Sequence, residues 1–353
     1  WPGIVLSPFN ASAAQRLDLV ESAMDKGEEK GWQVHTPAIP SVPFIAEPHS
    51  IVFKKHSYDP LTGQAKPRLA TDKSFFPGPT VLTDPETGTP LADNANVNVK
   101  EMFPPMRLVG ADTLRDGAGT LGAIGDVMRR KLGPGVGRAP LPPDELDRAC
   151  REAAQPYMAV SDFQGYFSQF FMKYKLQCRQ GLCFVRGNGK VEYTYSRRCQ
   201  FGGATAPQFA QRMSNTVLYR LKIEMAEEEE RWAKDAEAWE KGEGGSKFAA
   251  LMSPAPLREL VAKRRELVGK QAAAPYFVEA YIDDVIMCGL GKARTLAMLT
   301  LFYGICNRWR IPVAEGKSSF GTECEVIGYL FKLKSGIFSL TPNKLHLLRA
   351  WFR

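Results

Sequence analysis

The sequence predicts an α+β fold, in which short β-hairpins are separated by long helical stretches. The central observation is a pair of apolar arms, 277–282 and 285–288, that flank the adjacent carboxylates Asp283 and Asp284. Val, Ile, Phe and Tyr on both sides of a short polar tip are typical of a β-hairpin. Turn residues at 59–63 and 186–189 predict two more hairpins, and helical periodicity predicts the helices between them.

Composition limits the kind of protein that the chain can be. It has 353 residues, 44% of them hydrophobic, and a net charge of +8, which suits a nucleic-acid partner and equally suits plain solubility. No apolar run approaches the roughly 20 residues of a membrane span, and no signal peptide is visible, so we expect an intracellular protein, cytoplasmic or nuclear. The chain begins at Trp1 without Met and stops at Arg353 inside a predicted helix, so we expect a piece of a longer polyprotein.

The first half begins with an amphipathic helix predicted at 12–30, followed by strands at 51–55 and 65–72. On the second strand Lys66 and Arg68 share one face by the two-residue period and form a forked cationic surface fit for a triphosphate. The alternative is an ordinary solvated strand face. Residues 76–140 are rich in Pro and Gly, with one helix near 112–130, and another helix is predicted to begin at Pro143.

The middle of the chain places a carboxylate at the end of a buried strand. Residues 157–163 are predicted as a strand that ends in Asp162, and 163–173 as a helix, so Asp162 is either a site carboxylate or the N-cap of that helix. A hairpin at 182–198 follows. A glycine-bearing loop at 201–205 then leads into a helix that begins at Pro207.

The last third surrounds the Asp-Asp hairpin. Residues 224–273 combine an acidic helix, a glycine-rich break and a basic helix, and we predict a solvated insertion without chemistry. After the hairpin come a helix at 292–309, a connector that carries Lys317, and a strand at 325–331 that pairs with 337–340. A final helix begins at Thr341-Pro342.

Taken in this order, the segments resemble the reverse transcriptase palm and fingers of retroelements. The resemblance depends on three motifs: Tyr281-Ile-Asp-Asp284, the loop-helix residues Phe201-Gly202, Ala206-Pro207 and Gln211-Arg212, and the segment from Asp162 to Gln169. The stretch 72–78 is similar to the DIRS-like group of tyrosine-recombinase retrotransposons. The resemblance implies a right-hand polymerase fold, with an antiparallel palm sheet backed by helices, fingers, and a thumb cut short.

The same resemblance divides the chain into segments. They are an N-terminal extension at 1–49, a fingers-like region with an irregular insertion at 50–156, the palm at 157–223 and 274–340, the charged helical insertion at 224–273, and the start of a thumb at 341–353.

The implied activity is reverse transcription, that is, DNA synthesis on an RNA template by two-metal-ion nucleotidyl transfer. Two adjacent acids at an apolar turn are unfavourable unless a cation lies between them, although a surface Asp-Asp turn is the alternative for this stretch alone. The resemblance implies two Mg²⁺ ions, with Mn²⁺ as a substitute, held by Asp162 and Asp283 first, by Asp284 as the third acid, and by the carbonyl of Phe163.

The resemblance also implies the substrate contacts. Lys66 and Arg68 are expected at the triphosphate. Phe167 is expected to exclude a 2′-hydroxyl and so to favour dNTPs, and Lys317 is either a proton donor to pyrophosphate or a solvent-facing lysine. Gly202 and Gln211 are expected beside the nucleotide, and the primer and template contacts are assigned to Tyr281, Ile282, Gly328 and Tyr329.

The expected partners are an RNA template, a DNA primer and dNTPs, with RNase H, recombinase or integrase domains of the same polyprotein outside this chain and no membrane. Two alternatives remain open, because a fold alone does not prove an activity. One is a catalytically silent palm-fold scaffold that binds nucleic acid, and the other is a polymerase that makes RNA.

Overall fold

The computed structural model describes residues 4–6, 9–40, 44–58, 65–71, 110–131, 152–177, 180–200, 206–269 and 273–351. The strands are β1 Ile4–Leu6, β2 Gln33–Thr36, β3 Phe44–Ala46, β4 His49–Tyr58, β5 Ala65–Thr71, β6 Pro156–Asp162, β7 Gly181–Val185, β8 Val191–Ser196, β9 Tyr276–Tyr281, β10 Asp284–Leu290, β11 Ser319–Gly321, β12 Glu323–Val326, β13 Tyr329–Lys332 and β14 Ile337–Leu340. The helices are α1 Ala11–Ala14, α2 Leu17–Glu29, α3 Ala111–Lys131, α4 Tyr174–Gln177, α5 Ala206–Lys241, α6 Lys247–Met252, α7 Ala255–Val268, α8 Lys292–Arg308 and α9 Pro342–Trp351.

The chain divides into two compact units, one formed by 1–106 with 165–210 and the other by 107–164 with 211–353. The first unit contains a five-stranded sheet in the order β1-β3-β7-β8-β2 and the separate antiparallel pair β4-β5. Its core forms where Val20 and Met24, one helical turn apart on α2, meet Ile51 and Leu182. The single helix predicted at 12–30 is two helices, α1 and α2.

The second unit is built on a four-stranded antiparallel sheet in the order β11-β6-β10-β9. Because side chains alternate along a strand, Ile286 and Cys288 point to one face, where they join a core with α3, α7 and the strands β12–β14. Gly289 points to the other face, where a Cβ atom would meet the side chains of α8. The sheet therefore carries helices on both faces, and the segments predicted as palm provide all four strands.

The charged insertion is not the solvated segment that the sequence predicts. Its acidic part continues the preceding helix, so that α5 runs from Ala206 to Lys241 without a break, and Trp232 and Ala236 on it are buried. Arg294 of α8 is also buried, and its Nε lies 2.5 Å from Oε1 of Glu229 on α5. Removing one partner of such a buried pair typically costs about 3–5 kcal/mol, so the insertion is anchored to α8.

Most other predicted elements are confirmed, with two corrections. The helix predicted at 163–173 is only a short 3₁₀ turn, Tyr166–Gln169, so Asp162 does not cap a helix. The strand predicted at 325–331 is two antiparallel strands, β12 and β13, because Ile327 and Gly328 take positive φ angles of 51° and 75° and reverse the chain. The turn at 59–63 and the helix predicted from Pro143 lie outside the described residues.

No helix in the described ranges is both long and apolar enough to cross a membrane.

Candidate active site

The strand register brings two of the predicted carboxylates to the same end of the sheet. Asp162 is the last residue of β6 and pairs directly with Asp284, the first residue of β10. Asp283 precedes it in the two-residue turn that joins β9 to β10, and its carbonyl accepts a hydrogen bond of 3.2 Å from the backbone N–H of Phe163. Asp162 and Asp283, 121 positions apart in the sequence, therefore meet at one end of the sheet.

The turn that carries Asp283 is strained and is held by the buried side chains of α5. Ile282 has φ of 55°, a left-handed conformation that costs an L residue about 1–2 kcal/mol. Its backbone N–H donates to Oε1 of Gln211 at 2.8 Å, and its carbonyl accepts from the hydroxyl of Ser214. Nε2 of Gln211 also donates to the carbonyl of Ala280 at 3.1 Å. Because Gln211 and Ser214 are buried, water does not compete for these bonds.

The carboxylates of the site repel one another. Burial raises the pKa of Asp283, the charge of Asp162 raises it further, and Lys317 offsets part of the rise. Burial and the charges of Asp283 and Asp162 raise the pKa of Asp284 to about 6, again against Lys317. Each shift means that the charged form is disfavoured, which is the condition that a bound cation relieves.

Lys317 brings a positive charge to this group. Its ammonium forms an ion pair with Oδ2 of Asp162, whose side chain is 14% exposed. The other oxygen of Asp162, Oδ1, is buried and has no hydrogen-bond partner among the described residues. The side chain of Lys317 is 63% exposed and also reaches the site, and its role as a proton donor stays a prediction.

The donor chemistry fits Mg²⁺ or Mn²⁺, but the side chains are not arranged as a finished site. Carboxylate oxygens are the ligands that these ions prefer, and the orphaned Oδ1 of Asp162 is available to one. Within the described ranges, however, no three side chains of His, Cys, Asp or Glu converge as metal ligands. The ligand set of Asp162, Phe163, Asp283 and Asp284 therefore stays a prediction.

The segment that carries Lys317 is tied to β6 by its backbone. The N–H of Ala314 donates to the carbonyl of Asp162 at 2.8 Å, and the N–H of Gln164 donates to that of Pro312 at 2.9 Å. The 3₁₀ turn Glu315–Lys317 follows at once. These bonds explain how the lysine reaches a carboxylate 155 positions earlier in the chain.

The serines beside the site are not among the residues that the sequence motifs indicate. Ser214 was assigned no role, although it bonds the strained turn. Ser161 and Ser318 lie 3.0 Å apart, Oγ to Oγ, and Ser318 is 2.7 Å from the hydroxyl of Tyr303. The position of Ser214 one helical turn after Gln211 was the available signal, because residues i and i+3 share one face of a helix.

Several predicted substrate residues belong to the first unit. Arg68 is exposed on β5, where it pairs with Val52, and Lys66 precedes it on the same strand. The ring of Phe167 is 7% exposed and packs on Tyr166, with centroids 6.5 Å apart. Gly202 lies outside the described residues. The roles of these residues in nucleotide binding stay predictions.

The residues predicted to contact primer and template all lie in the second unit. Tyr281 closes the Asp-Asp hairpin by pairing with Asp284. Gly328 forms the turn between β12 and β13, and the adjacent Tyr329 stacks on Phe338 at 4.9 Å. Their contacts with nucleic acid stay predictions.

The fold and the site define a mixed α+β protein with an acidic site at the end of an antiparallel sheet. No family model matches the chain, and no curated protein matches it. Among solved structures it is similar to the foamy viral protease-reverse transcriptase in complex with double-stranded DNA, with 12% identity, a TM-score of 0.46, and coverage of 98% of this chain and 45% of that chain. It is also similar to the dRH form of that protein in complex with double-stranded DNA, with 12% identity, a TM-score of 0.49, and coverage of 99% of this chain and 38% of that chain. The chain thus spans less than half the length of both.

Proposed function

We propose that this chain is the catalytic core of an RNA-directed DNA polymerase that transfers nucleotides to a primer by a two-metal-ion mechanism. The observation that carries the proposal is the pairing of Asp162 with Asp284 across adjacent strands, with Asp283 in the turn beside them. The raised pKa values of Asp283 and Asp284 support a site whose charged form a cation would stabilise. Sequence motifs in the order of the reverse transcriptase palm provide the substrate class.

In this proposal Asp162 and Asp283 hold the cations, with Asp284 and the Phe163 carbonyl as further ligands. The bound ions would supply the Lewis acidity that activates a primer hydroxyl and stabilises pyrophosphate. Gln211 and Ser214 hold the strained turn, so that the Asp283 carboxylate does not have to be ordered when substrate arrives. Lys317 exchanges its pairing with Asp162 for the leaving pyrophosphate, to which its ammonium donates a proton.

The direct experiment is extension of a DNA primer annealed to an RNA template, with Mg²⁺ and dNTPs. We expect the parent chain to extend the primer and Asp283→Asn to lose extension by at least about 100-fold, since the loss of a metal-binding charge removes several kcal/mol of transition-state stabilisation. Asp112→Asn is the matched control, because its side chain is 83% exposed on α3. Extension by Asp283→Asn at the parental rate would refute the metal assignment.

The choice between DNA and RNA as the product depends on Phe167 through the family resemblance. We expect strong preference for dNTPs over rNTPs in the same assay, and relaxation of that preference in Phe167→Val, which keeps an apolar side chain of smaller volume. Equal use of both nucleotides by the parent chain would favour an RNA-synthesising polymerase instead.

A second candidate function, a silent scaffold that binds nucleic acid, is favoured by the ion pair between Lys317 and Asp162. An internal ammonium already compensates one carboxylate, as in a site that no longer takes a cation. The two functions separate in a Mn²⁺ titration followed by thermal unfolding. The polymerase predicts stabilisation that Asp283→Asn abolishes, whereas the scaffold predicts tight RNA binding with no Mn²⁺ effect in either protein.

A further inference from the structure

The first unit exposes two aromatic rings on one short segment between β6 and β7. Phe171 is 72% exposed and Tyr174 is 77% exposed, and Lys173 between them is exposed as well. Single apolar residues at a surface are normal, but neighbouring exposed rings beside charged groups are typical of binding sites. None of these three residues has a role at the acidic site of the second unit.

The backbone holds the ring of Phe171 outward. Phe171 pairs with Arg198 in an antiparallel bridge, and the N–H of Cys199 donates to the carbonyl of Phe170 at 2.8 Å beside it. Because side chains alternate along an extended chain, Phe170 points the other way, and its ring packs on Tyr166 with centroids 5.2 Å apart. The inward ring thus anchors the segment, and the outward ring is presented to solvent in a fixed position.

Arg198 covers one face of the Phe171 ring. Its Cζ lies 3.4 Å from the ring centroid, and its Nη1 donates to the carbonyl of Gln169 at 3.1 Å. A guanidinium over an aromatic face is attracted by the negative charge of that face, so the two groups form a stable pair. A ring has two faces, and at 72% exposure the second face of Phe171 is open to a planar ligand.

The charge of this part of the chain limits the kind of ligand. Residues 163–200 contain seven Lys and Arg residues and one acid, Glu192. A surface with that balance attracts a negatively charged partner. A second copy of this chain is disfavoured because it would bring the same positive charges. An acidic peptide is disfavoured because its carboxylates offer the two rings no planar group to stack on, whereas a nucleic acid supplies both the charge and the aromatic faces.

We propose that Phe171, Lys173, Tyr174 and Arg198 bind unpaired nucleotides of a single-stranded nucleic acid. One base stacks on the open face of Phe171, opposite Arg198, a nearby base stacks on Tyr174, and Lys173 contacts the phosphates. The Cα atoms of Phe171 and Tyr174 lie within about 10 Å of each other, since they are three residues apart. Bases inside a duplex cannot bind in this way, because neighbouring pairs cover their faces. The proposal goes beyond the polymerase function, because the site needs no metal and includes none of the residues assigned to nucleotide, primer or template.

The test compares two fluorescein-labelled hexamers, titrated with the whole chain in EDTA and followed by fluorescence anisotropy. One is hexathymidylate, and the other is a hexamer of abasic sugar-phosphates, which keeps the charges but has no bases. We expect saturable binding of hexathymidylate, and binding at least about fivefold weaker for the abasic hexamer. Phe171→Ala should weaken hexathymidylate binding at least about fivefold and leave the abasic hexamer unchanged, while Phe171→Trp should bind hexathymidylate at least as tightly as the parent chain.

Matched variants separate stacking from charge. Phe248→Ala, which removes a 50% exposed ring from α6 in the second unit, should leave binding of both hexamers unchanged. Lys173→Gln should weaken both and lower the salt slope of hexathymidylate binding by roughly 0.7. Equal binding of the two hexamers by the parent chain, equal effects of Phe171→Ala and Phe248→Ala, or displacement of hexathymidylate by an equal concentration of hexaglutamate would each overturn the proposal. Because binding is measured without metal, such a failure would leave the polymerase function to be decided by primer extension alone.

Discussion

Two tight turns in the second unit reverse the chain through an isoleucine in the left-handed conformation, and they are held in different ways. Ile282, with φ of 55°, precedes Asp283, and Ile327, with φ of 51°, precedes Gly328. A β-branched residue in this region is a genuine outlier, so each turn stores about 1–2 kcal/mol of strain. Something in the surrounding structure must offset that strain in both places.

At the first turn the restraint is buried and neutral. Gln211 and Ser214, both on α5 and both less than 10% exposed, bond the backbone on either side of the turn. At the second turn the side-chain restraint is an exposed lysine, and the carbonyl of Gly328 also accepts a backbone hydrogen bond of 3.2 Å from Thr341. Nζ of Lys344 donates to the carbonyl of Ile327 at 2.8 Å and lies 4.9 Å from the ring centroid of Tyr329.

The difference shows that the turn at Asp283 is held more rigidly than the turn at Gly328. Buried amide and hydroxyl groups do not exchange with water, whereas a long exposed side chain gives up rotamer freedom and competes with solvent. The turn that carries the candidate metal ligand is therefore fixed before any substrate binds. The side-chain bond at the turn of Gly328 is one that water can replace.

We expect the largest loss of stability from a substitution that removes the side-chain restraint on the first turn. Gln211→Leu keeps a similar volume but leaves the N–H of Ile282 and the carbonyl of Ala280 without their side-chain partner. Each buried unsatisfied group costs about 1–3 kcal/mol, so we expect a loss of about 3 kcal/mol in urea unfolding. Asn215→Ala, which removes an exposed acceptor of the same glutamine, is the control, expected below about 0.5 kcal/mol. Equal losses would mean that the turn does not depend on Gln211.

The second effect concerns the charge at the first turn. The folded state raises the pKa of Asp284 to about 6, so it binds a proton more tightly than the unfolded state. The stability that this tighter proton binding adds to the folded state is fully present below the unfolded pKa near 4 and is lost as pH rises through 6. In the metal-free protein we expect Asp284→Asn to be more stable than the parent by about 2 kcal/mol at pH 7 and by nearly nothing at pH 4, as measured by urea unfolding. An advantage independent of pH would contradict the charge assignment.

These turns also show what sequence alone could predict. The apolar arms around Asp283 and Asp284 predicted the first hairpin correctly, because strand propensity and a polar tip are local signals. The second hairpin was missed because Val326 and Ile327 favour a strand and only Gly328 indicates a reversal. Local pattern does not encode the pairing of β6 with β10, which depends on contacts between distant segments, so Asp162 was placed near Asp284 only through the family resemblance.

The role of Gln211 shows a different limit. The resemblance of the loop-helix motif predicts that Gln211 lies beside the nucleotide, and that role stays a prediction. In the structure its amide is used by the backbone of Ala280 and Ile282, an arrangement that depends on how α5 crosses the sheet. A residue type and its position on a helix predict which face it occupies, but not which of several polar partners it meets.

The third prediction concerns the backbone strain at Ile282 and Ile327, which a pair of substitutions at each position measures directly. At a positive φ, glycine is favoured over alanine by about 1 kcal/mol, the reverse of their order in a regular strand. We therefore expect Ile282→Gly to be more stable than Ile282→Ala by about 1 kcal/mol in urea unfolding, and the same order for Ile327. Comparing Gly with Ala at one position cancels most of the lost isoleucine packing. Alanine equal to or better than glycine at either turn would show that the turn is not strained.

The smallest effect tests the restraint on the second turn. Lys344→Met keeps most of the aliphatic side chain but removes the ammonium that bonds Ile327 and faces Tyr329. Because water can replace the bond at this exposed site, we expect a loss of only about 0.5 kcal/mol in urea unfolding, several times less than for Gln211→Leu. Lys334→Met, at an exposed position with no ion pair in the described structure, is the control for charge removal. A loss above about 2 kcal/mol for Lys344→Met would place both turns in one class, since an exposed lysine would then restrain its turn as firmly as a buried amide does.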